Sequence, residues 1–120
     1  MKPITKIEIV TRPEKLEELK AGMHEIGVQG MTVTQVYGCG LSKGHKEVYR
    51  GKEVTVTLLP NIKVEIVVCE IPVQLVVDTA KKICHTGRVG DGKIFIYLIA
   101  NAVRIRTGEE GEIAIIDPED

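Results

Sequence analysis

The chain has 120 residues, of which 43% are hydrophobic and 28% charged, and its formal net charge is −1. This length and composition are those of a single domain that can bury a core without disulfides or a metal. A nearly neutral chain with 3% aromatic residues offers neither the basic patch nor the stacking platform that nucleic-acid binding needs. Three cysteines without C-x-x-C spacing favour a reducing compartment, and no apolar run reaches spanning length, so we expect a cytoplasmic protein without membrane insertion.

The first half of the chain predicts a strand, a helix and a strand. Residues 4–10 are rich in β-branched side chains and partly alternate, as a strand does. Residues 13–27 begin with a proline and end with a glycine, which is typical of a helix, and their apolar residues fall on one helical face. Residues 31–38 alternate again and predict the second strand.

The second half repeats this pattern. Alternation over NIKVEIVVC places four apolar residues on one strand face: Ile62, Val64, Ile66 and Val68. A helix then runs from Pro72 to Gly87 with these residues expected inward: Leu75, Val76, Thr79, Ala80 and Ile83. Residues 93–100 predict a buried strand. Strand–helix–strand used twice predicts an α+β, ferredoxin-like βαββαβ fold for residues 1–120.

Two segments lie outside this repeat. Residues from about 40 to 60 exceed a tight hairpin, and long loops in compact domains usually have a function. After residue 100 we expect short C-terminal strands joined by a turn at Thr107 and Gly108. Residues 113–120 are expected to be a solvated acidic tail.

The stretch TGRVGDGKIF, residues 86–95, nearly matches the phosphate-binding pattern G-x-x-x-x-G-K. Ile94 stands where a nucleotide hydrolase carries its magnesium-binding hydroxyl, and the stretch follows a helix instead of opening one. Two interpretations remain. The stretch is either a plain helix-to-strand turn or an anion-binding nest of backbone N–H groups around Gly90, Asp91 and Gly92, with Lys93 adding charge.

Arg104 and Arg106 are two residues apart in a predicted strand, so we expect both side chains on one sheet face. Paired guanidinium groups bind phosphate oxygens through forked, charge-assisted hydrogen bonds. The alternative is that both arginines form surface ion pairs with Glu109, Glu110 or Glu112. Because no nucleophile–base pair or metal-ligand pattern accompanies these groups, the sequence favours a sensor over an enzyme.

Several long motifs in the same order resemble those of the PII signal-transduction protein family. The matching stretches are IGVQGMTVT, KGHKEVYRG, TGRVGDGKIFI and VRIRTGE, and the resemblance covers nearly the whole chain. It implies a ferredoxin-like subunit in a compact homotrimer, with ATP or ADP bound as competing effectors in clefts between subunits. It also implies a long protruding loop that docks into target proteins.

The resemblance also implies a set of site residues. The expected nucleotide-binding residues are Thr32, Gly38, Gly40, Glu65, Val67, Gly90, Asp91, Gly92, Lys93, Arg104 and Arg106, with Glu65 and Val67 near the base. The expected target-binding residues of the loop are Lys43, His45, Tyr49, Arg50 and Lys52. Magnesium would accompany ATP without being held by a protein side chain.

The chain departs from the family pattern in and beside the loop. Val54 replaces the tyrosine that accepts a nucleotidyl group, and Lys52 stands where some members carry a phosphorylatable serine. Ser42 and Asn61 replace a Gln and a Lys that the family uses for magnesium and 2-oxoglutarate. Leu41 replaces an Arg that contacts the terminal phosphate of ATP. These departures predict a sensor of the ATP/ADP ratio that ignores 2-oxoglutarate, lacks loop uridylylation and favours ATP less strongly.

Alternative functions remain open. The first is a conventional nitrogen-regulatory PII protein that controls ammonium transport or nitrogen metabolism. The second is a small acylphosphatase-type enzyme that would hold phosphate at the loop TRPEK, but Arg12 in this loop has no glycine-rich partner stretch. The third is a structural trimer without a ligand. For the target we favour a membrane transporter or its ATPase over an enzyme or a transcription regulator.

Overall fold

A computed structural model describes residues 2–41, 47–49, 52–54 and 56–116, with side chains for those outside 40–57. The elements in chain order are β1 (Ile4–Thr11), a 3₁₀ turn (Pro13–Lys15), α1 (Leu16–Glu25), β2 (Thr32–Leu41), β3 (Glu47–Tyr49), β4 (Lys52–Val54), β5 (Val56–Val68), α2 (Val73–Cys84), β6 (Lys93–Ile99) and α3 (Glu112–Ile115). None of the helices in this described part of the chain is long and apolar enough to cross a membrane.

Four strands form one antiparallel sheet in the order β2-β5-β1-β6. The connections through α1 and α2 make this the predicted βαββαβ fold, which is confirmed. The strands β2 and β6 are the two edges of the sheet, with β5 and β1 between them.

The core lies between the helices and one face of β1 and β5. On β5 the four residues predicted inward are at most 4% exposed. They pack with Ile7, Ile9, Leu19, Met23 and Val76 in one cluster. Burying each such side chain contributes about 1.5–3 kcal/mol, so this cluster holds the helices against the two central strands.

The prediction that residues 93–100 form a buried strand is wrong for the single chain. Most of β6 is exposed, including Ile96 at 56% and Leu98 at 84%. The reason is topological, because β6 is an edge strand beyond the two strands that line the core. On α2, Leu75 was expected inward but is 43% exposed, whereas Cys84 is buried.

The segment predicted as a loop over about 40–60 is partly regular. β2 and β5 continue past β1 and pair as far as Leu41 with Val56, which forms a two-stranded hairpin arm. β3 and β4 form a small hairpin in which Tyr49 is opposite Lys52, two of the residues expected to bind a target. The other three, Lys43, His45 and Arg50, lie outside the described residues, as does Ser42.

The C-terminal region differs from the predicted pair of short strands. A single bridge joins Val103 to Glu110, and the residues between them form a tight turn in which Gly108 N donates to Arg104 O at 2.7 Å. Arg104 and Arg106 therefore lie in a turn, so the prediction that they share a sheet face is wrong. The expected tail begins inside α3, and residues 117–120 lie outside the described part.

Candidate nucleotide site

The glycine loop, residues 86–92, is built around the carboxylate of Asp91. This carboxylate accepts hydrogen bonds from Thr86 N at 2.8 Å, from the Thr86 hydroxyl and from Gly87 N at 2.9 Å. These bonds, led by the one from the Thr86 hydroxyl, hold the pKa of Asp91 well below its usual range. The Asp91 carboxylate therefore shapes the loop, and the expected role of Asp91 toward a nucleotide stays a prediction.

Arg12 is a loop-building residue that sequence reasoning missed. Its Nη2 donates to Val89 O at 3.0 Å and to Asp91 Oδ1 at 3.4 Å. Arg12 therefore does have a glycine-rich partner stretch, contrary to the prediction, although the two are 77 or more residues apart in sequence. Only the antiparallel pairing of β1 with β6 brings them together, so no local sequence pattern could reveal the contact.

Gly92 is required by its conformation and by its neighbours. It has φ +103°, and a Cβ there would lie 1.8 Å from Val10 O. Gly90 also has φ +103°, and its Cβ would lie 3.1 Å from Arg12 Nη2. The glycines therefore let the loop lie directly against β1, with Lys93 entering β6 opposite Val10.

The root of the hairpin arm touches the same loop. The Asn61 amide nitrogen donates to Pro60 O at 3.1 Å and to Thr11 O at 3.2 Å when oriented toward them. The Thr11 hydroxyl in turn donates to Asp91 O at 2.8 Å. Gly38 is next to this relay, since a Cβ on it would lie 3.0 Å from the Asn61 amide. Gly40 lies further out on the arm, paired with Thr57.

A cleft of about 550 Å³ opens where β2 begins and β5 ends. Three of the predicted nucleotide-binding residues line it: Thr32, Glu65 and Val67. Thr32 and Glu65 are cross-strand partners on β2 and β5. Glu65 also forms an ion pair with Lys6 at 3.2 Å, and the Lys6 ammonium lies 4.4 Å from the ring centre of Tyr97.

The two arginines point in different ways. Arg104 Nη2 donates to Ile113 O at 2.8 Å and to Ile116 O at 2.6 Å. Ile116 lines the cleft, and Ile113 comes just before the lining residues 114–116. Arg104 Nε is 3.9 Å from Glu109 Oε1, which is a long version of the ion pair considered as the alternative. Arg106 is exposed in the turn, beside the fully exposed Ile105.

The structure thus divides the predicted site into two groups. The loop group comprises residues 90–93 together with Gly38 and Gly40 on the arm, and the cleft group comprises Thr32, Glu65 and Val67 with Arg104. Lys93 is the first of the seven residues of β6 and Arg104 follows the last, so the length of the strand, about 20 Å, lies between them. On the sheet itself, Lys93 is on the edge strand β6, whereas Thr32 and Glu65 are on β2 and β5. One chain alone does not bring them together.

In chemical terms, the loop group is a glycine-rich turn beside the Lys93 ammonium, and the cleft group combines apolar side chains such as Val67 with the Glu65 carboxylate. Among the described residues there is no cluster of His, Cys, Asp and Glu that could hold a metal. The chain is thus a ferredoxin-like subunit that carries two separate groups of candidate binding residues.

The chain belongs to the P-II family, since the family model "Nitrogen regulatory protein P-II" matches residues 4–109. It is 50% identical to the nitrogen regulatory protein P-II of Rhodospirillum rubrum over 110 residues, which are 92% of this chain and 98% of that protein. The nitrogen regulatory PII-like protein of Bacillus subtilis is also 50% identical, over 92% of this chain and 95% of the relative.

Two solved structures extend the comparison. B. subtilis GlnK is 49% identical with a TM-score of 0.82, over 93% of this chain and 98% of that one. The B. subtilis GlnK–ATP complex is 46% identical with a TM-score of 0.80, over 93% and 97% of the two chains. The predicted family and fold are therefore confirmed.

Proposed function

We propose that this protein is a regulatory homotrimer that binds ATP or ADP between its chains and reports the ratio of the two to a target protein. The observation that carries this proposal is the division of the site into two groups, with Lys93 at the start of β6 and Arg104 beyond its end. Two copies in contact can supply both groups to one ligand. The GlnK relative in complex with ATP supports the choice of ligand.

The exposed surface of β6 supports assembly. Phe95, Ile96, Tyr97 and Leu98 are consecutive, and each is at least 42% exposed in the single chain. An edge strand with exposed apolar side chains on both faces favours pairing with another chain. A second copy that covers this strand removes the exposed apolar surface and places one chain's glycine loop near its neighbour.

Insensitivity to 2-oxoglutarate is the second part of the proposal. Asn61, which stands where the family has a lysine, carries no charge and faces the backbone carbonyls of Pro60 and Thr11. A dicarboxylate therefore finds no counter-charge at this position. Val54, which lies on β4, has no hydroxyl to accept a nucleotidyl group, so we propose that the arm signals without that modification.

Magnesium would accompany ATP through the phosphate oxygens. The donor set of the loop group fits this arrangement, because the Asp91 carboxylate is already bonded to Thr86 and Gly87. No protein side chain is assigned to the ion. For the target, the family's name supports a nitrogen-related client, and we propose a membrane transporter or its ATPase, contacted by the hairpin arm in the cytoplasm.

The test of the shared site mixes two defective chains. Lys93→Ala removes the loop cation and Arg104→Ala removes the cleft cation, so each homotrimer should bind ADP and ATP at least tenfold more weakly in titration calorimetry. Trimers refolded from a mixture contain some interfaces with both residues intact, and they should recover nucleotide binding. Lys82→Ala, on the exposed side of α2, is the control and should bind normally.

If the mixture binds no better than the separate variants, the two residues do not serve one site between chains. The same calorimeter tests the second part of the proposal with ATP, magnesium and 2-oxoglutarate. We expect heat from ATP and from ADP and none from 2-oxoglutarate up to 1 mM, a level of about −4 kcal/mol in binding free energy. A saturable 2-oxoglutarate signal that depends on ATP would contradict it.

A further inference from the structure

The guanidinium group of Arg104 is occupied by the protein's own backbone. Its Nη2 donates to Ile113 O at 2.8 Å and to Ile116 O at 2.6 Å, and the side chain is only 15% exposed. A charged donor on two carbonyls makes strong hydrogen bonds, which fix residues 112–116 in place. We name these residues the strap.

The strap is anchored at its other end as well. Glu112 Oε1 accepts a hydrogen bond from Lys2 N at 2.7 Å, and Ala114 N donates to Gly111 O at 3.1 Å. Between these anchors, the strap residues Ala114, Ile115 and Ile116 form one wall of the cleft that Thr32 and Glu65 also line. The strap therefore lines the cleft and at the same time binds Arg104.

The strap and a phosphate would compete for the Nη2 donors of Arg104. A guanidinium has five N–H donors in a planar fork, and phosphate oxygens are stronger acceptors than neutral carbonyls. When a phosphate binds the Nη2 edge, the carbonyls of Ile113 and Ile116 lose their donor. With that donor gone, the hydrogen bonds given for residues 112–116 in the described part of the chain are the one from Lys2 N to Glu112 and those of the short helix.

We propose that the strap is an internal competitor for Arg104, so that nucleotide binding frees residues 112–116 and strap docking weakens nucleotide binding. This inference rests on the proposed function, since it requires a phosphate-bearing ligand at Arg104. It makes the C-terminal segment a second structural reporter of ligand, at the end of the sheet away from the hairpin arm.

The first experiment follows the strap amides in the full chain. Amide hydrogen exchange of Ala114 and Ile116, whose N–H groups donate to Gly111 O and Glu112 O, is measured by NMR with and without saturating ADP. We expect ADP to speed exchange at both amides about fivefold or more, the effect of losing one hydrogen bond. The amide of Val76, at the start of α2, is the internal control and should not change.

The second experiment loosens the strap without touching Arg104. Glu112→Ala removes the anchor to Lys2 N, and we expect it to bind ADP about threefold to tenfold more tightly. Glu110→Ala is the matched control, since it removes the same charge but its carboxylate bonds to the Asn101 side chain. This control should leave the affinity within twofold of wild type.

The outcomes separate the two proposals. ADP binding with unchanged or slower strap exchange, or equal affinities for the two Glu variants, would overturn the strap as a competitor and leave the proposed nucleotide function standing. If neither wild type nor Glu112→Ala binds ADP or ATP, the nucleotide function fails, and the strap proposal fails with it.

Discussion

Replacing Gly92 by alanine tests whether the glycine loop must lie directly on β1. Gly92 and Gly108 both have positive φ, +103° and +73°. A Cβ on Gly92 would lie 1.8 Å from Val10 O and 2.8 Å from Val10 C, whereas a Cβ on Gly108 would meet nothing within 4 Å. The pair therefore isolates the contact with β1 from the conformational strain that both glycines avoid.

The expected costs differ in size. A left-handed conformation costs a non-glycine residue about 1–2 kcal/mol, so Gly108→Ala should destabilise the protein by that amount. Gly92→Ala carries the same strain and an overlap with backbone that cannot rotate away, which adds about 1–3 kcal/mol. The total is about 2–5 kcal/mol for Gly92→Ala. Because the new Cβ would also push the loop away from β1, nucleotide binding should fall in this variant and not in Gly108→Ala.

Urea unfolding at a fixed protomer concentration measures the free energy of unfolding of both variants and wild type, because the stability of an oligomer depends on concentration. Titration calorimetry with ADP on the folded variants measures the loop's contribution to binding. Equal destabilisation of the two variants, within about 0.5 kcal/mol, would show that the loop can move off β1 at no cost, and the packing argument would be refuted.

Two further predictions concern charge and assembly. Asp91→Asn should lower the thermal midpoint. Because the pKa of Asp91 is depressed in the folded state, the extra stability of wild type should be complete above the ordinary aspartate pKa of about 3.9 and shrink as pH falls below it. A difference between the circular-dichroism melts of the two proteins that does not depend on pH would contradict this. Phe95→Lys should shift the assembly toward monomer in analytical ultracentrifugation. Within one chain the new lysine would lie opposite Glu8, but a neighbouring copy packed on β6 would bury its charge. Leu75→Lys on α2 is the control and should stay trimeric, and equal behaviour of the two variants would show that β6 is not in the interface.

The sequence predicted the parts of the fold that follow from local periodicity. Alternation in β5 identified its buried face, and Pro13 and Gly27 bracket the first helical segment. The exposed β6 was missed because an apolar run in an edge strand reads the same as one in a buried strand. Its position at the edge depends on which strands pair, and periodicity does not contain that information.

The site was predicted less completely, for a related reason. The residue types of the glycine loop indicated an anion-binding turn. They did not reveal the hydrogen bonds that Thr86 donates to the Asp91 carboxylate, and the contact from Arg12 depends on pairing between β1 and β6. The strand expected around Arg104 was wrong, because Val103 forms an isolated bridge with Glu110 and the residues between them form a tight turn. Alternation over so few residues does not distinguish a strand from a turn. The roles of Lys93, Arg104 and Arg106 toward a nucleotide stay predictions.

The hairpin arm has a mechanical consequence. Beyond the last pair of β1 with β5, six pairs from Val36–Asn61 to Leu41–Val56 extend the arm by about 20 Å. Its root is tied through Asn61 and Thr11 to the main chain at Asp91. A tilt of about 10° at this root swings the far end of a stiff 20 Å ladder by roughly 3.5 Å. The arm is thus a lever, which enlarges a small displacement at its pivot into one that a docked molecule would feel.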